Sequence, residues 1–546
     1  MPDLSPSTPP GPATDAPEHA GRAARLLNLI ELLGNKLPDP VTLFVIGALL
    51  VPIVSQVVHQ TGWSVRMVEP VLVDGQTVLQ ETGDPIRAKA LLTWDAMYGL
   101  VKGMKDNFIN FPPLGVVLVG MLGIGVAEKA GLIGAALKAC MLVTPKALLT
   151  PAMVFVGVMS SAGMDAGYVV LPPVAALLYL SVGRSPLAGI AAVFAGVSAG
   201  FCANLAITGL DPMLSELSTA GAVVVQPGYQ VAATCNWWFA AASTVFLTLV
   251  GWGVTAWFVE PRLNARAAEH GGPGAPADPD QAVGRLSDAE KQGLLWAGVA
   301  LVGFALTVGL LVSIKGALLH GSDAESHGFA RWVVVIVPLI FFAFLIPALG
   351  YGIAAGTIRS DKDVAKMMTQ AMASMGPIIV LAFFAGQFIE WFKVSNLGTM
   401  FAIKGGLAIA QSGLPTWAIL SAFILFVALI NLLVGSMSAK YTLFAPVFIP
   451  MFMIGAGLSP ELTQAAYRVG DSCTNIITPL NAYLIIILVF VQKYDKKAGM
   501  GTMIALMLPY SVVFIVTWTA LLLAWVAFGV PLGPEGPLEY VPPVAG

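Results

Sequence analysis

The stretch Arg468-Val-Gly-Asp471-Ser472-Cys-Thr474-Asn475-Ile-Ile-Thr478-Pro479 decides the fold of this chain. It places an arginine and an aspartate between two apolar runs that are long enough to lie in a bilayer. Charges at membrane depth are costly and usually face a cavity with a function. The i, i+3, i+7 spacing of Arg468, Asp471 and Asn475 predicts that they share one helical face. Thr478 and Pro479 then interrupt the helix, which predicts a break whose freed backbone groups bind ions or substrate.

The composition is that of a polytopic membrane protein. Of 546 residues, 57% are hydrophobic and 11% are charged, whereas soluble domains carry roughly 25% charged residues. No basic block that would follow a nucleic-acid backbone is present. The chain also lacks HExxH and Walker motifs, which argues against a zinc-dependent intramembrane enzyme or an ATP-driven pump. We therefore expect the lipid bilayer and a small-molecule substrate as partners, and no cofactor.

Hydropathy and loop charge divide the chain into two transporter repeats with nine membrane spans in total. Basic inner loops place the N-terminus in the cytoplasm and the C-terminus outside, in the periplasm. The expected parts are a disordered cytoplasmic tail (1–20), a first repeat (21–260), a cytoplasmic linker (261–292), a second repeat (293–530) and an outside tail (531–546).

Each repeat is predicted to hold a re-entrant hairpin followed by a broken helix. The hairpins are expected at 148–182, where one long kinked span is the alternative, and at 415–455, and the broken helices at 187–210 and 460–491. An odd number of spans between the hairpins makes the second repeat inverted. The sequence of residues 396–413 predicts either an interfacial helix or a short extra span. Only an interfacial helix would keep the number of spans between the hairpins odd and the second repeat inverted.

Two long loops are expected outside the membrane, at 59–92 and 213–234. The second follows Asp211-Pro212, which we expect to end the third span.

The two breaks resemble each other in sequence. Cys202-Ala-Asn204-Leu-Ala-Ile-Thr208-Gly-Leu aligns with one gap to Cys473-Thr-Asn475-Ile-Ile-Thr478-Pro-Leu. The shared order indicates a duplicated transporter unit. The alternative is chance similarity between apolar segments rich in glycine and alanine.

Several motifs resemble the p-aminobenzoyl-glutamate transporter (AbgT) family. They are Asp165-Ala-Gly-Tyr-Val-Val-Leu, Gly183-Arg-Ser-Pro-Leu-Ala-Gly-Ile, Leu210-Asp-Pro, Ser438-Ala-Lys, and Ser459-Pro-Glu-Leu-Thr-Gln-Ala-Ala-Tyr-Arg-Val-Gly-Asp-Ser. The resemblance covers nearly the whole chain from about residue 25. It implies an all-α fold of about nine transmembrane helices and two re-entrant hairpins, arranged as inverted repeats in a homodimer. It also implies a bacterial inner membrane, ion-coupled movement of p-aminobenzoyl-glutamate and, for some members, export of sulfonamide antimetabolites.

By motif, the family's functional positions fall on five residues of this chain. They are Asp165, Ser438, Pro460, Arg468 and Asp471. The family pattern Ser-Ala-Lys-Trp reads Ser-Ala-Lys-Tyr441 here. This departure lies near the expected substrate and keeps dicarboxylates or short-chain acids open as alternative cargo.

The implied ligand has an aromatic ring and carboxylates. Tyr441 could supply an aromatic face and Arg468 a bidentate carboxylate contact. Alternatively, Arg468 pairs with Asp471 as a structural ion pair. Lys440 is as easily an interfacial anchor as a ligand.

The coupling ion is Na⁺ or H⁺. The candidate ion-coupling residues are Asp165, Asn204, Thr208, Asp471, Asn475 and Thr478. Paired Asn and Thr oxygens favour Na⁺, with Asn204, Asn475 and Asp471 as the first candidates, although the asparagines could instead only cap the helix breaks. Protons would use Asp165 or Asp471, whose pKa burial would raise.

Overall fold

The computed structural model describes residues 38–73, 76–163, 166–276, 286–324 and 328–542. The predicted tail at 1–20 lies outside the described residues. In the first half the helices are α1 (Pro40–Thr61), α2 (Trp94–Ile109), α3 (Pro112–Ala130), α4 (Leu132–Val143), α5 (Leu149–Met159), α6 (Ala166–Ser181), α7 (Pro186–Phe194), α8 (Leu210–Ala222), α9 (Trp237–Val254) and α10 (Glu260–Asn264).

The second half follows after the linker. Its helices are α11 (Asp288–Ser313), α12 (Arg331–Val334), α13 (Ile336–Ala355), α14 (Asp361–Ser374), α15 (Gly376–Val394), α16 (Leu397–Ser412), α17 (Thr416–Asn431), α18 (Met437–Ala456), α19 (Pro460–Cys473), α20 (Ala482–Gln492) and α21 (Met500–Ala527).

The predicted fold class, an all-α polytopic membrane protein with broken helices, is confirmed. Within the described ranges, eight helices are long and apolar enough to cross a membrane, or nine if the bent pair Leu132–Val143 and Lys146–Met159 is one span. All seven unbroken spans expected from hydropathy fall on these helices. The eighth candidate span is α18, which lies in the second predicted hairpin. Its 20 residues extend about 30 Å, which is longer than a short re-entrant arm. The orientation of the termini stays a prediction.

The expected outside loop at 59–92 is mostly a β-hairpin. Strands β1 (Ser64–Val73) and β2 (Gln76–Arg87) pair antiparallel, with Ser64 opposite Arg87 and a register shift after Val65. The sequence predicted a loop here but not its strands, because Pro70, Gly83 and Pro85 are typical of turns, whereas the edge of a two-stranded ribbon tolerates them.

Each half contains a helix that stops inside the protein and resumes after a break. In the first half α7 continues through a π-turn to Ala199 and the chain becomes helical again at Leu210. In the second half α19 ends at Cys473 and α20 begins at Ala482. Both α7 and α19 begin with a proline that follows a serine. The predicted hairpin regions hold α5 with α6 and α17 with α18.

Two sequence interpretations of the connecting segments need correction or refinement. Asp211-Pro212 does not end a span, because it lies in the first turn of α8, where proline's missing N–H costs no hydrogen bond. The predicted loop at 213–234 is therefore partly a buried helix. Residues 396–413 form α16, which is not among the candidate spans of the described chain and packs along α18.

The centre of the molecule is α19. All 14 of its residues are buried, and it contacts α8, α17, α18 and α21. The predicted outside tail packs close by, since the Ser459 hydroxyl donates to the Pro537 carbonyl at 2.6 Å and the Tyr540 amide donates to Gly457 at 2.8 Å. The C-terminal segment thus holds the loop that precedes α19.

The first repeat depends on a close backbone crossing of α5 and α7. A Cβ added to Gly196 would lie 2.3 Å from the Val154 carbonyl, and one added to Gly157 would lie 2.5 Å from the Val193 carbonyl. Small residues at such crossings let transmembrane helices approach and pack.

We predict that Gly196→Leu lowers the melting temperature of the detergent-solubilised protein. Overpacking usually costs about 1–3 kcal/mol, and the cost here should reach the upper end because the obstructing atoms belong to the backbone. Gly115→Leu is the matched control, since a Cβ added at Gly115 would have no atom within 4 Å. Equal melting temperatures for the two variants in a fluorescence melt would contradict the close-packing interpretation.

Candidate substrate and ion site

Two charged residues of α19 are the starting point of the candidate site. The helix begins at Ser459, whose hydroxyl accepts the Leu462 amide at 3.0 Å, with Pro460 as its first residue. Arg468 and Asp471 have side chains that are 5% and 1% exposed. Because a buried charge needs a partner, each of them identifies the neighbour that completes the site.

Arg468 pairs with Asp211, not with Asp471. Its Nη2 lies 2.7 Å from Asp211 Oδ1, and the other carboxylate oxygen of Asp211 accepts the Thr208 amide and hydroxyl at 2.7 and 2.9 Å. Asp211 also lies in the first turn of α8, where the helix dipole favours a negative charge. The alternative of an Arg468–Asp471 pair is therefore wrong, and this ion pair links the two halves of the chain.

A narrow cleft opens beside the Arg468–Asp211 pair. Its lining residues are Phe201, Cys202, Asn204, Ala206, Ile207, Thr208, Leu210, Asp211, Trp237, Ala240 and Arg468. Two aromatic side chains, Phe201 and Trp237, line the cleft, and the Trp237 indole N–H donates to the Leu205 carbonyl at 2.8 Å. The cleft thus combines a guanidinium and aromatic faces, which an aromatic carboxylate ligand requires, with a carboxylate that already occupies the guanidinium.

Asp471 belongs to a separate cluster, which we call the lysine cluster and which consists of Asn431, Lys440, Tyr467 and Asp471. Lys440 Nζ lies 2.7 Å from Asp471 Oδ1 and also donates to the Asn431 side-chain carbonyl. Tyr467 donates to the same Asp471 oxygen at 3.1 Å. Among the described residues, the second oxygen, Asp471 Oδ2, is buried without a hydrogen-bond partner. Lys440 is therefore not an interfacial anchor.

Tyr441 does not face the cleft. It is 1% exposed, its ring lies 4.5 Å from that of Tyr467, and its hydroxyl is 2.6 Å from that of Ser218. A chain of hydrogen bonds leads from Ser218 to the cleft, because Gln464 donates to Ser218 at 2.8 Å and accepts from Arg468 Nη2 at 3.1 Å. In this conformation Tyr441 supports Arg468 through that chain and supplies no free aromatic face.

The predicted Asn and Thr residues all lie at the two breaks. Asn204 lines the cleft and donates to Ser161 at 2.9 Å, while its carbonyl accepts the Ala206 amide at 3.0 Å. Asn475 accepts from Asn431 at 2.8 Å, next to the lysine cluster, and its amide nitrogen donates to the Ser198 carbonyl of the first repeat at 3.4 Å. Thr478 donates to the Leu432 carbonyl at 3.1 Å. These side chains satisfy the freed backbone of the breaks, and their sodium-binding role stays a prediction.

The remaining predicted residues are not brought to the cleft by any contact of the described chain. Pro460 lies eight residues before Arg468, about 12 Å along α19. Ser438 is in the first turn of α18, where its hydroxyl lies 3.4 Å from that of Ser436. Asp165 lies outside the described residues.

Sequence reasoning missed three participants, namely Asp211, Asn431 and Trp237. Asp211 was quoted in the Leu210-Asp-Pro motif but interpreted as the end of a span. An acid just before a proline is also typical of the first turn of a helix. The Asp-Pro pair therefore indicated a helix terminus correctly, but it was interpreted as the end of one helix and not as the start of the next. Asn431 and Trp237 carry no local signal, because their roles arise only when distant helices meet.

Comparison with known proteins agrees with this architecture. The model of the AbgT putative transporter family matches residues 25–540. The chain belongs to the AbgT transporter family. It is 32% identical over 515 residues to the p-aminobenzoyl-glutamate transport protein of Escherichia coli (strain K12), covering 94% of this chain and 97% of that protein. It is therefore a multi-pass membrane transporter and not an enzyme.

Two solved AbgT-type structures share the fold. The Alcanivorax borkumensis YdaH transporter superposes with a TM-score of 0.81 at 39% identity, covering 91% of this chain and all of that one. Neisseria gonorrhoeae MtrF, described as illuminating a class of antimetabolite efflux pumps, superposes with a TM-score of 0.85 at 38% identity, covering 94% of this chain and all of that one.

We predict strong energetic coupling between Asp211 and Arg468 in this AbgT transporter. Asp211→Asn should destabilise the protein by about 3–5 kcal/mol, because it leaves the Arg468 cation buried without its partner. The double variant Asp211→Asn/Arg468→Gln should lose less than the sum of the single variants, with a coupling of about 1–3 kcal/mol. Melting temperatures of the four proteins measure this cycle.

Asp288→Asn serves as the control, because it removes the Lys291–Asp288 pair, whose side chains are 59% and 95% exposed. No measurable change in melting temperature is expected for it. Additive losses in the Asp211–Arg468 cycle would show that the two side chains do not interact.

Proposed function

We propose that this AbgT transporter is a secondary active carrier of p-aminobenzoyl-glutamate or a related aromatic carboxylate. The observation that carries the proposal is the guanidinium of Arg468, held in the cleft by the protein's own carboxylate, Asp211. A guanidinium that pairs with one carboxylate through Nη2 can pair with another carboxylate in its place. The Trp237 ring, which also lines the cleft, offers a stacking face for the aromatic part of the ligand.

Coupling to an ion follows from the competition for Arg468. As long as Asp211 is charged it occupies the guanidinium, and a substrate carboxylate must displace it. Displacement of Asp211 removes one of the two ion pairs that hold α19, and an ion that neutralises Asp471 loosens the other, so ion and substrate bind together more easily than either binds alone. The likeness to the Escherichia coli protein, whose name states its cargo, supports p-aminobenzoyl-glutamate as that substrate.

The lysine cluster supports protons over Na⁺ as the coupling ion. Lys440 already occupies the cation position beside Asp471 and Asn431. A sodium ion at Asp471 or Asn475 would have to displace this ammonium or lie against it, and like charges at such distances repel strongly in a buried site. A proton has no such conflict, because it can bind to the unpartnered Asp471 Oδ2.

Sulfonamide antimetabolites are a second candidate substrate class. Neisseria gonorrhoeae MtrF, to which this chain is similar over 94% of its length, is described within a class of antimetabolite efflux pumps. A sulfonamide shares the aminophenyl ring with p-aminobenzoyl-glutamate, and the ring would occupy the same place beside Trp237.

We predict that Arg468→Lys raises the KM for uptake of labelled p-aminobenzoyl-glutamate into proteoliposomes. Lysine keeps the positive charge but lacks the planar guanidinium group, so it makes fewer hydrogen bonds to the substrate carboxylate. Loss of a hydrogen bond to a charged group lowers affinity about tenfold or more. Lys102→Arg is the control, because Lys102 is exposed and does not line the cleft. An unchanged KM would place the substrate carboxylate elsewhere, and stronger competition by succinate than by aromatic ligands would favour the dicarboxylate carrier.

A second prediction concerns the driving ion. With Na⁺ and pH gradients imposed separately, we expect accumulation of p-aminobenzoyl-glutamate under the pH gradient and none under the Na⁺ gradient. Asp471→Asn should abolish this accumulation because the side chain can no longer take up and release a proton. Asp106→Asn, which removes an exposed Lys–Asp pair, should leave it intact. Accumulation driven by Na⁺ alone would instead assign the ion site to the asparagine and threonine oxygens at the breaks.

A further inference from the structure

A second groove on the protein surface shares no lining residue with the candidate cleft and has no role in the proposed transport cycle. It runs between the end of the α9–α10 segment and the start of α21. Its lining residues are Phe258, Val259, Arg262, Leu263, Arg266, Gly501, Thr502, Ala505, Leu506 and Pro509. The basic residues around it, and those of the 493–499 loop before α21, place it on the cytoplasmic side by the positive-inside rule.

Irregularities in both walls produce the groove. The first wall contains a π-turn at Thr255–Val259, and the second contains Pro509 inside α21. The helices meet again behind the groove, where the hydroxyls of Thr255 and Tyr510 lie 2.6 Å apart and are buried. The groove therefore has a closed inner wall, whereas Phe258 of its lining is 61% exposed.

Polarity changes along the length of the groove. One end holds Arg262, Arg266 and Thr502, and the other holds Phe258 and Pro509. Seven or eight residues separate the two ends on each helix, which is about 10–12 Å. A small soluble anion would use only the first end. The gradation from charge to exposed apolar surface instead matches a lipid that lies with its headgroup at the membrane surface and its chain in the bilayer.

The charged end is suited to an anion. Among the described residues, no carboxylate pairs with Arg262, while Arg266 lies 3.6 Å from Asp495 and so is only weakly engaged. Gly501 is the second residue of α21, and the first N–H groups of a helix have no partner within it. A Cβ at Gly501 would meet no atom within 4 Å, so the approach to these N–H groups is open.

We propose that this groove binds an anionic phospholipid. The headgroup phosphate lies between Arg262, Arg266 and the N-terminus of α21, and one acyl chain runs along Phe258 and Leu506. A zwitterionic headgroup is disfavoured, because its cationic amine would lie next to two arginines. The bound lipid bridges α10 and α21, and α21 packs directly against α19. The lipid thereby stabilises the helix that supports the candidate site.

The test compares the thermal stability of the full-length protein in detergent with added phosphatidylglycerol, phosphatidylcholine or glycerophosphate. Phosphatidylglycerol should raise the melting temperature, because a ligand that binds only the folded state stabilises it, and the other two should not. In native mass spectrometry, the double variant Arg262→Gln/Arg266→Gln should bind phosphatidylglycerol about tenfold more weakly or worse. Gly501→Leu, which fills the groove without removing charge, should have the same effect.

Two control variants distinguish lipid binding in the groove from binding to the basic surface in general and from folding defects. Arg359→Gln removes an exposed arginine of another inner loop, and Gly115→Leu adds a leucine at an open helical position. Both should keep wild-type lipid binding, and all variants should melt like wild type in phosphatidylcholine. Equal stabilisation by phosphatidylcholine, an equal effect of glycerophosphate, or unchanged phosphatidylglycerol binding in both groove variants would overturn the proposal. Weaker self-association of the groove variants in lipid-free detergent, without any lipid effect, would assign the groove to a second copy of the chain.

Discussion

The burial of α19 is the constraint on which the rest of the structure depends. A helix that carries an arginine and an aspartate cannot lie in the centre of a membrane protein unless both charges find partners there, since desolvation costs several kcal/mol per ion. The partner of Arg468 comes from the first half of the chain, as Asp211, and the partner of Asp471 comes from α18, as Lys440. The two halves must therefore fold against each other before both charges are satisfied.

The breaks at 200–209 and 474–481 serve the same requirement. An unbroken helix would have no free backbone groups at this depth, whereas a break supplies them where protein lines the surroundings. Asn475 and Asn481 reach back to Ser198 of the first half at 3.4 and 3.3 Å. The two breaks thus meet at the repeat interface, where transporters of this construction place their sites. Polar side chains that cap the breaks are at the same time the walls of the site.

Sequence alone could give the spans and the positions of the breaks, because both depend on local patterns. Apolar length predicts α1 or α21 regardless of context, and Asn, Thr and Pro in an apolar run predict an interruption. The ion pairs could not be predicted in this way. The spacing of Arg468 and Asp471 permits a local pair, and only tertiary packing shows that each side chain points to a different neighbour. Asp211-Pro212 is compatible with either end of a helix, so its role also depended on the fold.

The geometry of α19 explains how binding at the cleft can be sensed at the lysine cluster. Arg468 and Asp471 are three residues apart, which is about 4.5 Å along the axis and about 60° around it. A rigid helix cannot rotate or shift to release one ion pair without changing the other, so the two charges act as a unit although they do not touch. A substrate that displaces Asp211 from Arg468 removes one of the two restraints on α19. The Lys440–Asp471 pair is then the remaining restraint, and neutralising Asp471 frees the helix to move relative to α8 and α18. In the transport cycle that we propose, substrate and ion are thereby coupled through one short helix, with no further connecting path required.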